Sequence, residues 1–373
     1  MKVLVDGGNS GSGGYIHYLS GNLGSGALEG FEVLLVCSPN LAEKLGPLDP
    51  QVNVRVESEL DAQRRWTRLA WWRRSWPRLV ASFEPDLIVH PTGLLRGRSG
   101  NIPRVAVHHF MAPFSPVAYR AYGPSKLTAA LLYWRTRLLH SLRRADGVVF
   151  LADYTRDSVH PLIGTKPLVA VVPNAVPSAF SAAGEPARET LSSPVRLLCV
   201  STLYLFKYQW NVVEAVARLR AELDLDIHVD MVGGGEPRAR AKLMRSIEEN
   251  CASEWVTVRE VPAAEMPAVY READLFVFPS ADEAWPVTLG EAMGSGLPIA
   301  CSNRMAMPDI LRDAGTYFDP ESPDEMVAAL RRLLTDAGLR MRCAASAAEY
   351  ASEYTWERSA MLLAAFMRRL VQR

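Results

Sequence analysis

Two carboxylates eight residues apart, Glu283 and Glu291, lie in the run Phe278-Pro279-Ser280-Ala281-Asp282-Glu283-Ala284-Trp285-Pro286-Val287-Thr288-Leu289-Gly290-Glu291-Ala292-Met293. The run leaves a β-rich stretch and enters a short helical one, so the two acids bracket a loop and the first helical turns. Acids placed in this way can bind the paired hydroxyls of a sugar or ribose, or do acid/base work. Spacing alone favours the plainer reading, two solvated surface acids. A second cluster is Pro103-Arg104-Val105-Ala106-Val107-His108-His109, a strand running into two histidines. A third is the glycine-rich turn Asp6-Gly7-Gly8-Asn9-Ser10-Gly11-Ser12-Gly13-Gly14, which follows the first apolar run and precedes the helical Tyr15–Leu23. Such a turn lets backbone N–H groups approach an anion at a helix N-terminus. The dinucleotide spacing G-x-G-x-x-G is incomplete here, because neither Gly nor Ala stands at 16. No acid closes the second strand, where Val36-Cys37-Ser38 stands. These departures disfavour a nicotinamide enzyme.

The elements around these clusters alternate. Val3–Val5, Val33–Cys37, Val52–Val56, Leu87–Val89, Val105–Val107, Val148–Leu151 and Leu168–Val172 read as strands, with helical stretches such as Leu60–Ser82 and Leu127–Arg144 between them. From Val195 the rhythm restarts with Leu197–Val200, Ile227–Val232, Val256–Val258, Leu275–Phe278 and Ile299–Cys301. This alternation predicts α/β architecture with parallel sheets covered on both faces. Residues 182–194 are polar, proline-bearing and aperiodic, and they predict the linker between two doubly wound, Rossmann-like domains. Ligands are then expected at the carboxyl ends of the strands, in a cleft that the domains face.

Composition narrows the function classes. The 373 residues are 49% hydrophobic and 22% charged, enough for two domains with their own cores. Forty-one basic residues balance 41 acidic ones, which argues against a duplex-DNA binder and gives no nucleic-acid partner. No apolar run reaches the roughly 18–20 residues of a membrane span, and the N-terminus does not resemble a secretory signal. Five scattered cysteines without a C-x-x-C pair predict neither a disulfide framework nor a zinc site, and a cytoplasmic location follows. The neutrality is uneven: residues 1–180 carry roughly +7 and the remainder roughly −7.

The acidic run resembles the E-x7-E glycosyltransferases of family 4, retaining enzymes of GT-B fold that use nucleotide-sugars. Glu283 matches the first acid, Glu291-Ala292-Met293 the closing E-A-M, and Trp285-Pro286 the Phe-Gly or Phe-Pro between them. Gly296-Leu297-Pro298, Met307-Pro308-Asp309-Ile310, Phe318-Asp319-Pro320, Val171-Val172-Pro173-Asn174-Ala175-Val176, Met231-Val232-Gly233-Gly234-Gly235 and Tyr354-Thr355-Trp356-Glu357 extend the similarity, as does Gly13-Gly14. The resemblance implies an acceptor-binding domain over 1–185 and a donor-binding domain over 186–355. It also implies a terminal helix, 356–373, packed back on the first domain.

The resemblance implies roles as well. Glu291 accepts hydrogen bonds from the nucleotide ribose, and Glu283 lies beside the donor sugar. The N–H groups of Val287 and Thr288 hold sugar hydroxyls or phosphate oxygens, whereas Pro286 has no N–H to give. In Val200-Ser201-Thr202-Leu203-Tyr204-Leu205-Phe206-Lys207, Lys207 matches the family's phosphate-binding lysine, while Thr202 stands where the family has arginine. Losing one of two phosphate cations costs on the order of 2–4 kcal/mol of transition-state stabilisation unless another group substitutes, and Arg304 is one candidate. His109 matches the strand-closing histidine that contacts the donor sugar, with His108 left as the one-residue alternative. Gly13 and Gly14 match the acceptor-side glycine loop. No D-x-D pair is placed to hold a metal–nucleotide complex, so no cofactor or metal is expected and the nucleoside-diphosphate-sugar is a co-substrate. The acceptor is a saccharide or lipid-linked saccharide. The rival readings are a GT-B epimerase or phosphorylase and a catalytically silent saccharide-binding protein.

Residues 64–78 hold six arginines, four of the nine tryptophans and no acid. At 100° per residue Trp66, Leu69, Trp72, Trp76, Leu79 and Val80 share the arc expected to pack on the sheet. Trp71 falls on the other side among Arg68, Arg74 and Arg78, and Pro77 is expected to end or kink the helix near Trp76. Arg68, Trp71 and Arg74 form the expected patch for peripheral association with an anionic membrane.

Overall fold

The computed structural model describes residues 1–8, 13–61, 65–181 and 189–373, with Gly13 and Arg65 described by backbone alone. Most of the expected linker 182–194 therefore lies outside the described residues. Contacts divide the chain into two units. One is Met1–Phe114 with Ala129–Ala175 and Thr355–Arg373; the other is Ser115–Thr128 with Val176–Tyr354. Ser115–Thr128 thus groups with the second unit, although its place in the sequence lies within the span read as the first domain.

The first unit holds a seven-stranded, wholly parallel sheet. Its strands are β1 (Lys2–Gly8), β2 (Glu32–Cys37), β3 (Val52–Val56), β4 (Leu87–His90), β5 (Arg104–His108), β6 (Gly147–Phe150) and β7 (Leu168–Val171), in the order β3-β2-β1-β4-β5-β6-β7. The second unit holds a six-stranded parallel sheet of β8 (Val195–Val200), β9 (Ile227–Val232), β10 (Val256–Arg259), β11 (Leu275–Phe278), β12 (Ile299–Ser302) and β13 (Thr316–Phe318). Its order is β10-β9-β8-β11-β12-β13. Both are the doubly wound arrangement that the alternation predicts. The central strands are uninterrupted apolar runs because helices cover both faces; β6 (GVVF) and β11 (LFVF) are buried at every position. In each sheet the order reverses beside the first strand, between β1 and β4 and between β8 and β11. At such points the flanking loops diverge and leave a crevice at the carboxyl ends.

The terminal helix Trp356–Val371 belongs to the first unit. Thr355 Oγ1 accepts a hydrogen bond from the Arg358 N–H at 3.2 Å, Glu357 lies in the first turn, and Arg368 and Arg369 lie in the last. Cap and charges both favour the helix there. Ala360, Leu363, Ala364, Met367 and Leu370 recur at helical spacing and are buried. Trp356 lies over Gly21, where a Cβ would stand 2.1 Å from the indole, and Ser359 donates to Asn22 Oδ1 at 3.1 Å.

The helix Arg65–Phe83 corrects three expectations. It does not end at Pro77 but continues through it. The missing N–H forfeits one backbone bond, at a cost of about 3 kcal/mol. Trp76, Leu79 and Val80 flank it in a cluster with Leu4, Val36 and Ile88, and each contributes about 1.5–3 kcal/mol by burial. Burial wins. Trp71 is the second correction: it is only 3% exposed, meets Trp72 edge-on at 4.8 Å, and donates from Nε1 to Glu57 Oε2 at 3.1 Å. The Glu57 carboxylate at the cluster's margin satisfies the indole N–H, so a ring that the helical wheel turned outward is buried. Trp66, assigned to the packed arc, is instead 78% exposed, because it lies more than a turn before the helix meets the core.

Gly147 starts β6 beneath the terminal helix, and a Cβ there would stand 2.8 Å from the Phe366 ring and 2.9 Å from Leu370. Gly147→Ala should destabilise the protein by about 1–3 kcal/mol and Phe366→Ala by about 3–5 kcal/mol in urea unfolding. The double variant should lose less than the sum, since removing the ring makes room for the methyl group. Additive losses would contradict this packing.

Candidate active site

Glu283 and Lys207 meet at the reversal point of the second sheet, on the loops that leave β11 and β8. The two loops are tied by their backbones, with the Ala281 N–H donating to the Phe206 carbonyl at 2.9 Å. The loop after β9 presses on the same place. A Cβ on Gly233 would stand 2.3 Å from the Ser201 carbonyl, and one on Gly235 2.4 Å from that of Leu203, at φ +139° and +159°. Glycine is required at both positions for that approach.

Lys207 is buried, and all three of its ammonium hydrogens have partners. It donates to Ser280 Oγ at 2.9 Å, to the Asp282 carbonyl at 3.0 Å, and to Glu283 Oε1 in a close ion pair. Asp282, beside this pair, is itself buried. Desolvation pushes its carboxyl up to about 6, against the opposing effects of a hydrogen bond from Ser115 and the charge of Lys207. Ser115 enters this site as the N-cap of the helix Pro116–Tyr122.

Glu291 projects from the helix Val287–Gly294, whose N-cap is the buried Pro286. No side chain caps this helix, so the first N–H groups, those of Val287 and Thr288, remain for an anion. Burial pushes the Glu291 carboxyl up to about 7, while the Tyr270 hydroxyl, 2.9 Å from Oε2, opposes the shift. Tyr270 also lies 3.2 Å from the Thr288 carbonyl, so one fully buried ring fixes both the acid and the first turn of its helix. Trp285 packs on the same helix. A Cβ on Gly290 would come within 2.7 Å of its ring, which rests edge-on against Tyr354 at 5.7 Å.

The remaining expected residues fall as follows. Thr202 is exposed, and its backbone carbonyl accepts a hydrogen bond from Gln209 Nε2 at 3.2 Å. Arg304 is taken by Asp319 in a close pair, with Glu321 at 3.9 Å, so carboxylates already hold the candidate replacement for the family arginine. In the first unit His108 is fully buried between Phe114 and Phe150, with both ring nitrogens unpartnered. His109 lies past the end of β5 and is partly exposed, against Tyr18 at 4.6 Å and Tyr15 at 6.3 Å. Burial, with His108 beside it, pushes its pKa down to about 3, so it is neutral near pH 7. Geometry thus distinguishes the two histidines: His108 is core and His109 faces the strand ends. Gly13 opens the helix Gly13–Leu23, and a Cβ on Gly14 would meet nothing within 4 Å; residues 9–12 of that loop lie outside the described residues. Arg68 is half-buried and Arg74 exposed. Sequence reasoning missed Tyr270, Asp282, Ser280 and Ser115. Only Ser115-Pro116, a capping residue followed by proline, had a local signal.

Two family models together match nearly the whole chain: "Glycosyltransferase Family 4" over residues 9–180 and "Glycosyl transferases group 1" over residues 186–350. The chain belongs to glycosyltransferase family 4. This family 4 protein is 28% identical to the D-inositol 3-phosphate glycosyltransferase of Corynebacterium diphtheriae over 297 residues, 73% of this chain and 68% of that one. It is 31% identical to the O-antigen chain mannosyltransferase B of Escherichia coli over 116 residues, which span 31% of this chain and 30% of the relative. Among solved structures, sucrose-phosphate synthase from Thermosynechococcus elongatus superposes with a TM-score of 0.77 at 16% identity, covering 99% of both chains. The Anabaena protein HepE, in a complex with UDP and glucose, superposes at 0.73 and 16%, covering 98% of both. These likenesses show the GT-B fold. Among the described residues of this family 4 member, no helix is long and apolar enough to cross a membrane, and no group of three or more His, Cys, Asp or Glu is placed to hold a metal ion.

The Glu291 environment has a measurable signature. Its carboxyl is raised from 4.5 to about 7, so folding disfavours the ionised form and stability falls as pH rises through that interval. Glu291→Gln should flatten the fall in urea unfolding between pH 4.5 and 8. Tyr270→Phe should cost ~1 kcal/mol and carry the fall to higher pH. An unchanged pH profile in Glu291→Gln would contradict the burial described.

Proposed function

We propose that this family 4 protein transfers a hexosyl group from a nucleoside-diphosphate-sugar to a hydroxyl of a saccharide or lipid-linked saccharide, with retention and without a metal ion. The observation that carries the reading is the Lys207–Glu283 pair at the sheet reversal, followed along the same strand-to-helix connection by an uncapped helix N-terminus and Glu291. The diphosphate lies against the N–H groups of Val287 and Thr288, where the helix dipole favours negative charge. It competes with Glu283 for the Lys207 ammonium, which frees that carboxylate to face the sugar. Glu291 accepts the ribose hydroxyls in its ionised form. The bond between the anomeric carbon and phosphate oxygen breaks, and its electron pair leaves with the nucleoside diphosphate. The acceptor oxygen bonds to the same face of the carbon, and its proton passes to the departing phosphate oxygen. Lys207 and the helix N-terminus supply the positive field for that charge. His109, held neutral, serves as a hydrogen-bond partner to the donor sugar rather than as a proton source. Relatives named for mannosyl transfer and for glycosyl transfer to inositol phosphate support the reaction class.

A thermal-shift panel of UDP-, GDP-, ADP- and dTDP-sugars, with and without EDTA, tests the reading. One nucleotide class should stabilise the protein in both conditions, and Glu291→Ala should weaken its binding ~10–100-fold. Lys207→Ala should lower kcat ~100–1,000-fold. Wild-type donor affinity in Glu291→Ala, or a rate abolished by EDTA, would contradict the assignment. An epimerase would interconvert the sugar nucleotide with no acceptor present.

A further inference from the structure

The reversal point of the first sheet has a pocket of its own, built entirely within the first unit. Its cavity is about 550 Å³, lined by Gly8 at the end of β1, Arg68 and Trp72 of the helix Arg65–Phe83, Arg96 after β4, and Trp134 and Arg137 of the helix Lys126–Arg144. That size admits a sugar-sized ligand. Among the described residues that line it there is no carboxylate. The buried Asp6, beside Gly8, is held by His90 Nδ1 at 3.0 Å, and the guanidiniums of Arg96 and Arg137 are the charges that the lining offers a ligand.

Packing fixes the arginine at the floor. Arg96 lies 5.8 Å over the Trp72 ring, and its Nη1 occupies the space beside Gly8, 2.6 Å from where a Cβ would stand. Gly8 has φ +59°, so glycine at this position serves both the turn and the guanidinium. Arg68 is half-buried on the wall and Arg137 exposed at the rim. The planar forks of Arg96 and Arg137 around one concavity suit a phosphoryl dianion, which accepts several paired hydrogen bonds, better than a neutral sugar. Indole faces beside them suit the apolar face of a sugar ring or a hydrocarbon chain. Of the Arg68, Trp71 and Arg74 patch expected at a membrane surface, Arg68 lines this pocket beside Trp72 of the packed arc.

We propose that this pocket binds the phosphoryl group of an acceptor whose adjoining portion is a sugar ring or a prenyl chain. Only the word acceptor rests on the transferase reading; the ligand chemistry rests on the pocket. Isothermal titration of the full chain should show binding of glucose 1-phosphate or farnesyl diphosphate, weaker at high salt, with glucose not competing. Arg137→Glu and Arg96→Gln should each weaken binding at least tenfold. Arg137→Glu, at an exposed rim position, should keep the thermal midpoint of the free protein and so separate lost binding from misfolding. Binding of glucose 1-phosphate assigns a soluble phosphorylated acceptor, and binding of farnesyl diphosphate alone assigns a lipid-linked one; either supports the pocket. Failure of both ligands to bind overturns it, as does equal affinity in Arg137→Glu. Arginine-dependent sedimentation with phosphatidylglycerol vesicles alone likewise overturns it, in favour of a membrane surface. Failure of every nucleotide-sugar to bind would sink the transferase reading while leaving these isotherms intact.

Discussion

Every strand in both sheets runs parallel to its neighbours, and this single constraint organises the rest of the molecule. Parallel strands need crossover helices, so all carboxyl ends of a sheet collect along one edge. Where the winding reverses, beside β1 and beside β8, the loops part and backbone polar groups stay accessible. The Lys207–Glu283 pair lies at one reversal and the arginine pocket at the other. The glycines support this by letting loops approach one another: Gly233 and Gly235 against the loop after β8, Gly8 against Arg96.

The two reversals differ electrostatically. In the second unit cation and carboxylates are interleaved. Lys207 is spent on Glu283, Ser280 and the Asp282 carbonyl, while burial holds Asp282 and Glu291 close to their ionisation points. In the first unit three guanidiniums share a pocket with no carboxylate lining it among the described residues. The opposite charges of the chain's two halves have a local counterpart at these two places.

Much of this was legible from residue order. Strand periodicity predicted both sheets, because parallel strands buried on both faces must be apolar throughout. The resemblance of the Glu283–Glu291 run to the E-x7-E motif, rather than the spacing itself, pointed to the second-unit candidate site. Tyr270 could not be found that way, since a buried tyrosine looks like core until its hydroxyl is seen against Glu291. Ser115 was invisible for a different reason: it reaches Asp282 from a segment 167 positions earlier. Helical-wheel reasoning failed at Trp71, because a wheel has no knowledge of Glu57 waiting at the margin. The expectation that the helix ends near Pro77 failed because the cost of one lost backbone bond is local, whereas Trp76, Leu79 and Val80 are buried by distant strands.

The return of Trp356–Val371 to the first unit also bears on how the chain is made. Synthesis proceeds from the N-terminus, and domains tend to fold as they emerge. Here β1 through β7 are complete nearly 200 residues before the helix that covers Gly21 and Gly147 is made. During that interval the first sheet has an uncovered apolar flank at Gly147, and the second unit must form between the two parts of its neighbour. The nascent first unit therefore stays open while residues 172–355 are made, and it closes only after the second unit has been synthesised.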